Sequence, residues 1–443
     1  MFAARRVLPR VILLLLLGIL NLVALPAGSG YLFTPHSVTL HGLSQPRHWG
    51  KSLRLANGRS SWRAGCHAAV SGGRLEPSVG PLDLIRYAVF HAWRTWFFAT
   101  LFIFGTWFAR GFDLQTGAAL LLGHGAVYLS FGAIARRLYE IDWQCIADGV
   151  YPMPHDATLW GVLRWSDPRR VLAFCAAARE TAERAARGGW RELPKAYPPV
   201  PNGSYPSYYL QNFHFQTDGW LSAASANSYE VSTEVLFGGT QDAMQRLALV
   251  PVREWLRGRR EGDGSVELLE AACGTGRLLC QLAESFPEFR LTGLDLSPFY
   301  LEEARANYAR WQAGHPGSSS AEFVHANAEA LPLPDRSRDI VVCAYTFHEL
   351  PPATRRSVAA EFFRVLRPGG LCVLMDSAQE GDLGPGLEGA LEWFPRTFHE
   401  PYYRSWLAED LGSLFGACGF QPSGPERVMH VTKVGAFLRP HGS

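Results

Sequence analysis

The sequence predicts an α/β fold in which helices cover both faces of a parallel β-sheet. After residue 265, short apolar runs typical of buried strands alternate with longer segments of helical character. This alternation is typical of parallel sheets. One apolar run also ends in a glycine-rich turn that leads into a helix, in the stretch LLEAACGTGRLL at residues 268–279.

Each element of this region has its own signals. The expected strands read VELLEA, RLTGLDLS, AEFVHANAE, DIVVCAYTFHEL and LCVLMDS. The expected helices read GRLLCQLAESFP, PFYLEEARANYARWQAG and ATRRSVAAEFFRVLRPGG. Proline in the first turn and glycine at the end mark the boundaries of the second helix. The last segment, PERVMHVTKVGAFLRP, alternates like a closing pair of strands.

Composition excludes several classes of protein. The chain has 443 residues, 47% of them apolar, enough for one large domain with additions or for two to three domains. A formal net charge of +2 argues against a nucleic-acid partner. The eight cysteines form no CxxC pair and no zinc-like spacing, so we expect no metal site.

The N-terminal third differs from the rest of the chain. Residues 1–30, with a basic start and an apolar run, are typical of a signal or anchor segment, and residues 31–80 are expected to be a linker. Residues 81–137 predict an apolar helical hairpin. Two alternatives stay open for this hairpin: it associates with a membrane, or it is apolar because it is buried in a soluble domain.

Three further regions complete the organisation. Residues 138–200 are expected to be a helical extension, in which Asp167 and Pro168 begin a helix that stops at Gly188. Residues 201–250 are crowded with aromatic and polar side chains, and we expect them to form a lid over a site. Residues 251–443 are expected to form the catalytic domain.

The glycine-rich turn is compatible with more than one ligand. The phosphate loop of nucleotide hydrolases is excluded, because no Lys-Ser or Lys-Thr follows the glycines. A dinucleotide loop of the form GxGxxG would use Gly274 and Gly276, but its third position is the bulky Leu279. A nicotinamide-dependent oxidoreductase is therefore an alternative with weak support.

The motifs taken in order resemble the class I S-adenosylmethionine-dependent methyltransferases, in the small-molecule subgroup called type 11. Glu270 ends the first strand before ACGTG, and Asp295 ends the second strand 19 residues after Gly276. HANAEALPLPD, TFHEL and RVLRPGG follow in the family's order. Several ordered motifs are more specific than any one alone. The resemblance implies a Rossmann-like, seven-stranded methyltransferase sheet with a helical, apolar N-terminal extension.

The resemblance also implies S-adenosyl-L-methionine as the cofactor. Asp295 would accept hydrogen bonds from the ribose hydroxyls, and Glu270 would face the ammonium group. Asn327 stands where the family usually has aspartate, and would bind the adenine together with the backbone of Ala328. The expected cofactor-binding residues are Glu270, Ala272, Cys273, Gly274, Gly276, Asp295, Leu296, Asn327, Ala328 and Tyr345.

A second resemblance covers residues 205–246, 148–152 and 397–406. These segments are similar to a methyltransferase group found in cyanobacteria and plastid-bearing organisms, which implies a membrane-associated or organellar location such as a plastid. The segments expected to reach the acceptor carry His214, Asp218, Tyr229, His348, Glu349, His399, Glu400, Tyr402 and Tyr403. Among these residues, His348, His399 and Tyr403 are the catalytic candidates. The two histidines are the candidate bases, since histidine titrates near neutral pH.

The expected function is methyl transfer from S-adenosylmethionine to a small, apolar or lipidic acceptor. The apolar N-terminal third and the aromatic segment motivate this choice of acceptor. Two alternatives stay open besides the oxidoreductase: a cofactor-binding pseudoenzyme that serves as a membrane scaffold, and a protein methyltransferase.

Overall fold

The computed structural model describes residues 79–112, 125–200, 204–259, 264–318, 320–383 and 388–442. The predicted signal or anchor segment and nearly all of the predicted linker lie outside these described residues. The central part of the predicted apolar hairpin, residues 113–124, does so as well.

One mixed sheet forms the centre of the described fold. Its strands run in the order β3-β2-β1-β4-β5-β8-β6, and a further short strand, β7, pairs with β8. The first five strands are parallel, and β8 is antiparallel to β5. The bounds are β1 Glu267–Ala271, β2 Arg290–Asp295, β3 Ala321–His325, β4 Arg338–Ala344, β5 Leu366–Ser377, β6 Gln421–Pro422, β7 Arg427–Met429 and β8 Thr432–Leu438. The predicted Rossmann-like sheet is confirmed, with β7 as an addition to seven strands.

Helices cover both faces of the sheet. The N-terminal helices are α1 Pro81–Ala109, α2 Gly125–Ala147, α3 Leu159–Trp165, α4 Pro168–Arg187, α5 Ala223–Leu236, α6 Gln241–Arg246 and α7 Leu249–Leu256. The later helices are α8 Arg277–Ser285, α9 Pro298–Ala313, α10 Pro352–Val365, α11 Glu388–Thr397, α12 Tyr403–Leu407 and α13 Leu411–Gly416.

The period of two along the strands divides the core into two layers. In β1, Leu268 belongs to one hydrophobic cluster and Leu269 to the other. The first cluster includes residues of α1, α2 and α6 to α9, whereas the second includes residues of α10 to α13. Strands buried on both faces explain why these segments are continuously apolar in the sequence.

Two element boundaries differ from the prediction. Strand β4 ends at Ala344, and the following TFHEL forms a turn with a short 3₁₀-helix at Phe347–Glu349. Tyr345 adopts the left-handed region with φ of 50°, which ends the extended backbone. Strand β5 begins at Leu366, so the RPGG segment expected to close the preceding helix is part of the strand.

The N-terminal helices share the core of the sheet domain. Helix α2 continues ten residues beyond the predicted end of the hairpin, to Ala147, and buries Leu138 and Ile141 in the first cluster. In α1, the guanidinium of Arg94 pairs with the carboxylate of Glu234 in α5 at 2.5 Å, and both side chains are fully buried. Among the described helices, none combines the length and the apolarity needed to cross a bilayer.

Candidate functional site

The glycine-rich turn connects β1 to α8. Ala272, Gly274 and Gly276 all have positive φ, at 56°, 54° and 74°. Glycine adopts such angles at little cost, whereas alanine does so with strain. A Cβ atom at Gly274 would meet no heavy atom within 4 Å, so the backbone here borders open space. A ligand can therefore lie directly against the main chain.

Asp295, at the end of β2, holds this turn. Its Oδ2 accepts a hydrogen bond from the backbone N–H of Gly274, and its Oδ1 accepts one from Ser297, both at 2.8 Å. Burial raises the pKa of Asp295, and these backbone donors act in the opposite direction. Each carboxylate oxygen can accept a second hydrogen bond, so the pair of hydroxyls on a ribose fits this position.

Glu270, one residue before the end of β1, is only 3% exposed. Burial, and then the neighbouring Asp295, raises its pKa well above the usual range. Its Oε2 has no hydrogen-bond partner. Because buried polar atoms are normally satisfied, this oxygen is suited to a cationic donor from a ligand, such as an α-ammonium group.

Two neighbouring cavities lie along the carboxyl ends of the strands. The larger is partly open to solvent, and Asp295 and Leu296 line it with Asn327 and Ala328. The smaller is lined by Glu270 and Cys273. Ala272 and Tyr345 are among the residues that line both. The structure therefore brings most of the predicted cofactor-binding residues together around adjoining spaces.

Asn327 follows β3 in a position fixed by its neighbours. Its Oδ1 accepts a hydrogen bond from the backbone N–H of Glu329 at 2.9 Å. The carboxylate of Glu329 in turn accepts one from the hydroxyl of Tyr208 at 2.6 Å. Tyr208 belongs to the aromatic segment before α5 and lines the larger cavity. The adenine side of the expected cofactor site is thus tied to the aromatic segment.

The aromatic segment forms one wall of the larger cavity. Trp220, Tyr229 and Tyr300 pack edge to face with ring centroids 5.2–6.1 Å apart. On α5, Glu230 also accepts hydrogen bonds from Thr275 and Asn307, which ties this wall to the glycine turn. That this segment acts as a lid over the site stays a prediction. Glu230 itself was missed, because its spacing from the turn in the sequence carries no signal.

His348 lies in the 3₁₀-helix after β4 and is held by Asp376. Its Nδ1 lies 2.6 Å from Oδ1 of Asp376, which is 1% exposed at the end of β5. Burial lowers the pKa of His348, but Asp376 outweighs this effect and raises the pKa to about 9. Oδ2 of Asp376 accepts hydrogen bonds from the backbone N–H groups of residues 346–348. Asp376 was missed, although an acid at a strand end, as at Glu270 and Asp295, was a usable signal.

None of the three catalytic candidates, His348, His399 and Tyr403, is among the residues that line these two cavities. His399 stacks on Trp190 with centroids 5.0 Å apart, and its Nε2 lies 2.9 Å from Oε1 of Gln211. Tyr403 is 2% exposed, its hydroxyl lies 2.5 Å from Ser377, and its ring packs edge to face on His348. Their assignment as groups that touch the acceptor stays a prediction, and these contacts favour positioning roles.

A second group of expected acceptor residues converges beside His348. His214, in the turn of the aromatic segment, pairs with Glu400 from the region between α11 and α12. Nε2 of His348 lies 3.8 Å from Glu349, which lines the larger cavity. Burial, and then Glu400, raises the pKa of Glu349 well above its usual range. The expectation of no metal site rested on sequence spacing, and spacing does not detect residues this far apart in the chain.

Comparisons with known proteins agree with this geometry. Residues 268–370 match the family model described as a methyltransferase domain. This match covers the strands β1 to β4, the glycine turn and Asp295. The parallel strands and the acids at the ends of the first two strands are those expected from the sequence.

Residues 268–370 are therefore similar to methyltransferase domains.

Curated relatives of the methyltransferase domain include enzymes of quinone biosynthesis. The ubiquinone/menaquinone biosynthesis C-methyltransferase UbiE of Desulfotalea psychrophila is 29% identical over 155 residues, which are 35% of this chain and 55% of that protein. UbiE of Methylobacterium nodulans is 34% identical over 151 residues, 33% of this chain and 55% of that protein. The demethylmenaquinone methyltransferase of Listeria welshimeri is 28% identical over 191 residues, 39% of this chain and 76% of that protein. The chain thus spans about half the length of the two UbiE proteins.

Proposed function

We propose that this protein transfers the methyl group of S-adenosylmethionine to a small, apolar acceptor. The observation that carries the proposal is a pair of carboxylates, the buried Glu270 and the half-buried Asp295, on adjacent parallel strands at the glycine turn. One has an unpartnered oxygen for an ammonium group, and the other has free lone pairs for two hydroxyls. A methionine ammonium and a ribose present these two kinds of donor.

The residues around the turn suit this cofactor better than a dinucleotide. A pyrophosphate carries negative charge, and two acids at the turn would repel it. Leu279, fully buried, occupies the position where a dinucleotide loop needs its third glycine. S-adenosylmethionine carries no phosphate and a net positive centre at sulfur. The electrostatics of the turn therefore favour it.

The acceptor side of the larger cavity supports a small apolar substrate. Phe213, Trp220 and Tyr300 contribute aromatic surface, and few charged groups share that wall. The printed names of the relatives refer to ubiquinone and menaquinone biosynthesis, which is consistent with an apolar, ring-containing acceptor. Membrane association or an organellar location remains part of the proposal, motivated by the apolar N-terminal sequence.

When bound, S-adenosylmethionine supplies a methyl carbon already activated by the sulfonium. The protein's own contribution is then mainly to position the acceptor in line with that carbon and to exclude water. The side chain of Glu349 lines the larger cavity, and His348 lies beside it. These two residues are the proposed acceptor-side groups.

Calorimetric titration of the full chain tests the cofactor. We expect saturable binding of S-adenosylmethionine and S-adenosylhomocysteine and none of NAD. Gly274→Arg fills the open space beside the turn and serves as the binding-deficient control. Tight NAD binding without binding of S-adenosylmethionine would replace this proposal with the oxidoreductase.

Methyl transfer itself is tested with S-adenosylmethionine labelled in the methyl group and a cell lipid extract. We expect label in the organic phase with the wild-type chain and none with Gly274→Arg. Label in protein would favour a protein methyltransferase. Cofactor binding without transfer to any fraction would favour a pseudoenzyme that acts as a scaffold.

A further inference from the structure

Four metal-ligating side chains meet beside the acceptor cavity. His214, His348, Glu349 and Glu400 each offer one nitrogen or oxygen atom, and these atoms all lie within 4.8 Å of one another. They come from three separate segments of the chain. The aromatic segment supplies the first, the 3₁₀-helix after β4 the next two, and the region between α11 and α12 the last.

The cluster is buried and incompletely satisfied. His214, His348 and Glu400 are 9%, 6% and 5% exposed. Oε2 of Glu349 and Oε2 of Glu400 have no hydrogen-bond partner. Nε2 of His214 pairs with Oε1 of Glu400. Buried polar atoms without partners are rare and costly in a protein interior. Two of them aimed at one point indicate a ligand there.

A neighbouring carboxylate orients one of the imidazoles. Nδ1 of His348 bonds to Asp376, which leaves Nε2 directed toward Glu349 and the cluster. Metal-binding histidines usually make this contact, because a carboxylate on one ring nitrogen fixes the tautomer and presents the other nitrogen to the ion. Asp376 is itself fixed by backbone N–H donors, so His348 has little freedom to turn away.

We propose that His214, His348, Glu349 and Glu400 bind one divalent transition-metal ion such as Mn²⁺ or Zn²⁺. Two imidazoles and two carboxylates are a donor set that these ions accept. Ligand atoms about 2.1 Å from a common ion lie about 3 to 4.2 Å apart. The widest separations in the cluster must therefore contract by a few tenths of an ångström, and the His214–Glu400 pair must open. A charge of two also balances the carboxylates of the half-buried Glu349 and the buried Glu400.

The position of Glu349 connects the ion to the cavity. Glu349 lines the larger cavity, which also holds Asp295 and Asn327, so an ion at the cluster borders the acceptor space. Four protein ligands leave open positions on an octahedral ion such as Mn²⁺. An acceptor with a phenolic or enolic hydroxyl can occupy one of them. This assignment of the acceptor rests on the proposed methyl transfer.

Methyl transfer to an acceptor bound at such an ion begins with the loss of a proton. The coordinated hydroxyl of the acceptor releases its proton to water, because the ion stabilises the oxyanion. The oxygen then forms a bond to the methyl carbon. The carbon–sulfur bond breaks, and its electron pair stays on the sulfur, which becomes a neutral thioether. The negative charge on oxygen and the positive charge on sulfur both disappear.

Titration with Mn²⁺ and with Zn²⁺ tests the site on the full chain after chelator dialysis. Free Mn²⁺ is followed by electron paramagnetic resonance and Zn²⁺ by calorimetry. We expect one ion per chain. Glu349→Gln and Glu400→Gln should each weaken binding at least tenfold, and Asp376→Asn about 10- to 100-fold through the orientation of His348. The matched control is His155→Gln, since His155 pairs with Glu284 at 3.2 Å away from the cluster and should not affect binding.

Circular dichroism identifies variants that fail to fold. We expect Glu349→Gln to disturb folding least, because Glu349 lies at the cavity wall. No saturable binding of either ion by the wild-type chain would overturn the site. Wild-type affinity in both folded glutamine variants would do so as well.

An open coordination position on the bound Mn²⁺ ion can be detected through the water molecule that occupies it. Bound Mn²⁺ with exchangeable water should enhance the relaxation of water protons. Bound Mn²⁺ without such enhancement would overturn the acceptor role of the ion. Binding of S-adenosylmethionine is measured separately, in the ion-free chain. Its failure with an intact Mn²⁺ site would reject the proposed function and leave the site standing.

Discussion

The carboxylate of Asp295 accepts a hydrogen bond from the backbone N–H of Gly274 across 2.8 Å. The end of one strand thereby fixes the turn that follows its neighbour. In the proposed complex, the same carboxylate would receive the ribose hydroxyls. Asp295 therefore shapes the binding surface and also belongs to it.

Replacing Asp295 with alanine should weaken binding of S-adenosylmethionine by roughly 1.5–3 kcal/mol, the scale of hydrogen bonds to a charged group. Calorimetry measures the effect. Asp335→Ala is the control, because Asp335 is a largely exposed acid that pairs with Arg364. Affinity within a factor of two of wild type in Asp295→Ala would place the ribose elsewhere.

Gly274→Ala separates backbone strain from loss of the ligand surface. Gly274 and Gly111 both have positive φ, and a Cβ at either meets nothing within 4 Å. Each alanine should therefore cost roughly 1–2 kcal/mol of stability. Only Gly274→Ala should also weaken the binding of S-adenosylmethionine at least tenfold, about 1.4 kcal/mol, because the added methyl group enters the space of the ligand. Equal affinities in the two variants would contradict the assignment of the turn.

Tyr403 and His399 should differ in their effects on turnover. Tyr403→Phe removes the hydroxyl that contacts Ser377 and keeps the ring that packs on His348. We expect slower formation of S-adenosylhomocysteine, with the affinity for S-adenosylmethionine unchanged. His399→Ala removes a contact with Gln211 outside the two cavities, so its effect should be smaller. A tenfold loss in His399→Ala, about 1.4 kcal/mol of barrier, with normal cofactor binding would instead support a direct role.

Acid should destabilise the fold through buried neutral histidines. Burial lowers the pKa of His430 from 6.5 to about 3, and burial, followed by Arg246 and Arg94, lowers that of His91. Below pH 6.5 the unfolded chain binds protons that the folded chain excludes. The contribution of these two histidines to the free energy of unfolding is therefore fully present above pH 6.5. It is lost as the pH falls toward 3, with a slope of up to about 1.4 kcal/mol per pH unit for each group.

Urea unfolding between pH 7 and pH 4 measures this slope. His430→Asn should flatten it, and asparagine tolerates the positive φ of 57° at this position. The exposed His441 replaced in the same way is the control. An identical slope in wild type and His430→Asn would show that the acid response has another origin.

Arg94→Met should destabilise the chain by about 3 kcal/mol, because it removes a partner of the buried Glu234. Arg86→Met, on the same helix, is the matched control. Arg86 is half exposed and lies 3.9 Å from Asp83, so its loss should change stability by less than about 0.5 kcal/mol. Equal stabilities of the two variants would mean that the N-terminal helices do not contribute to the core.

The parallel sheet and the grouping of the predicted cofactor residues at its edge were predictable, because their signals are local. Strand alternation, the GTG turn and the acids Glu270 and Asp295 all lie within short stretches. The acceptor side was predictable only in part. His214, His348, Glu349 and Glu400 were all named as candidates, but their convergence depends on tertiary packing that spacing does not encode. The apolarity of residues 81–109 was compatible with a membrane or a core, and only packing distinguishes the two.

The pairing of Arg94 with Glu234 joins residues 140 positions apart in the chain. A ribosome adds about 5–20 residues each second, so the first partner waits on the order of 10 s for the second to be made. During that interval α5, one of the helices that pack on the tryptophan- and phenylalanine-rich helix α1, has not been completed. The nascent protein is then a natural client for chaperones that shield apolar helices, and its yield in a foreign host should depend on how fast it is translated.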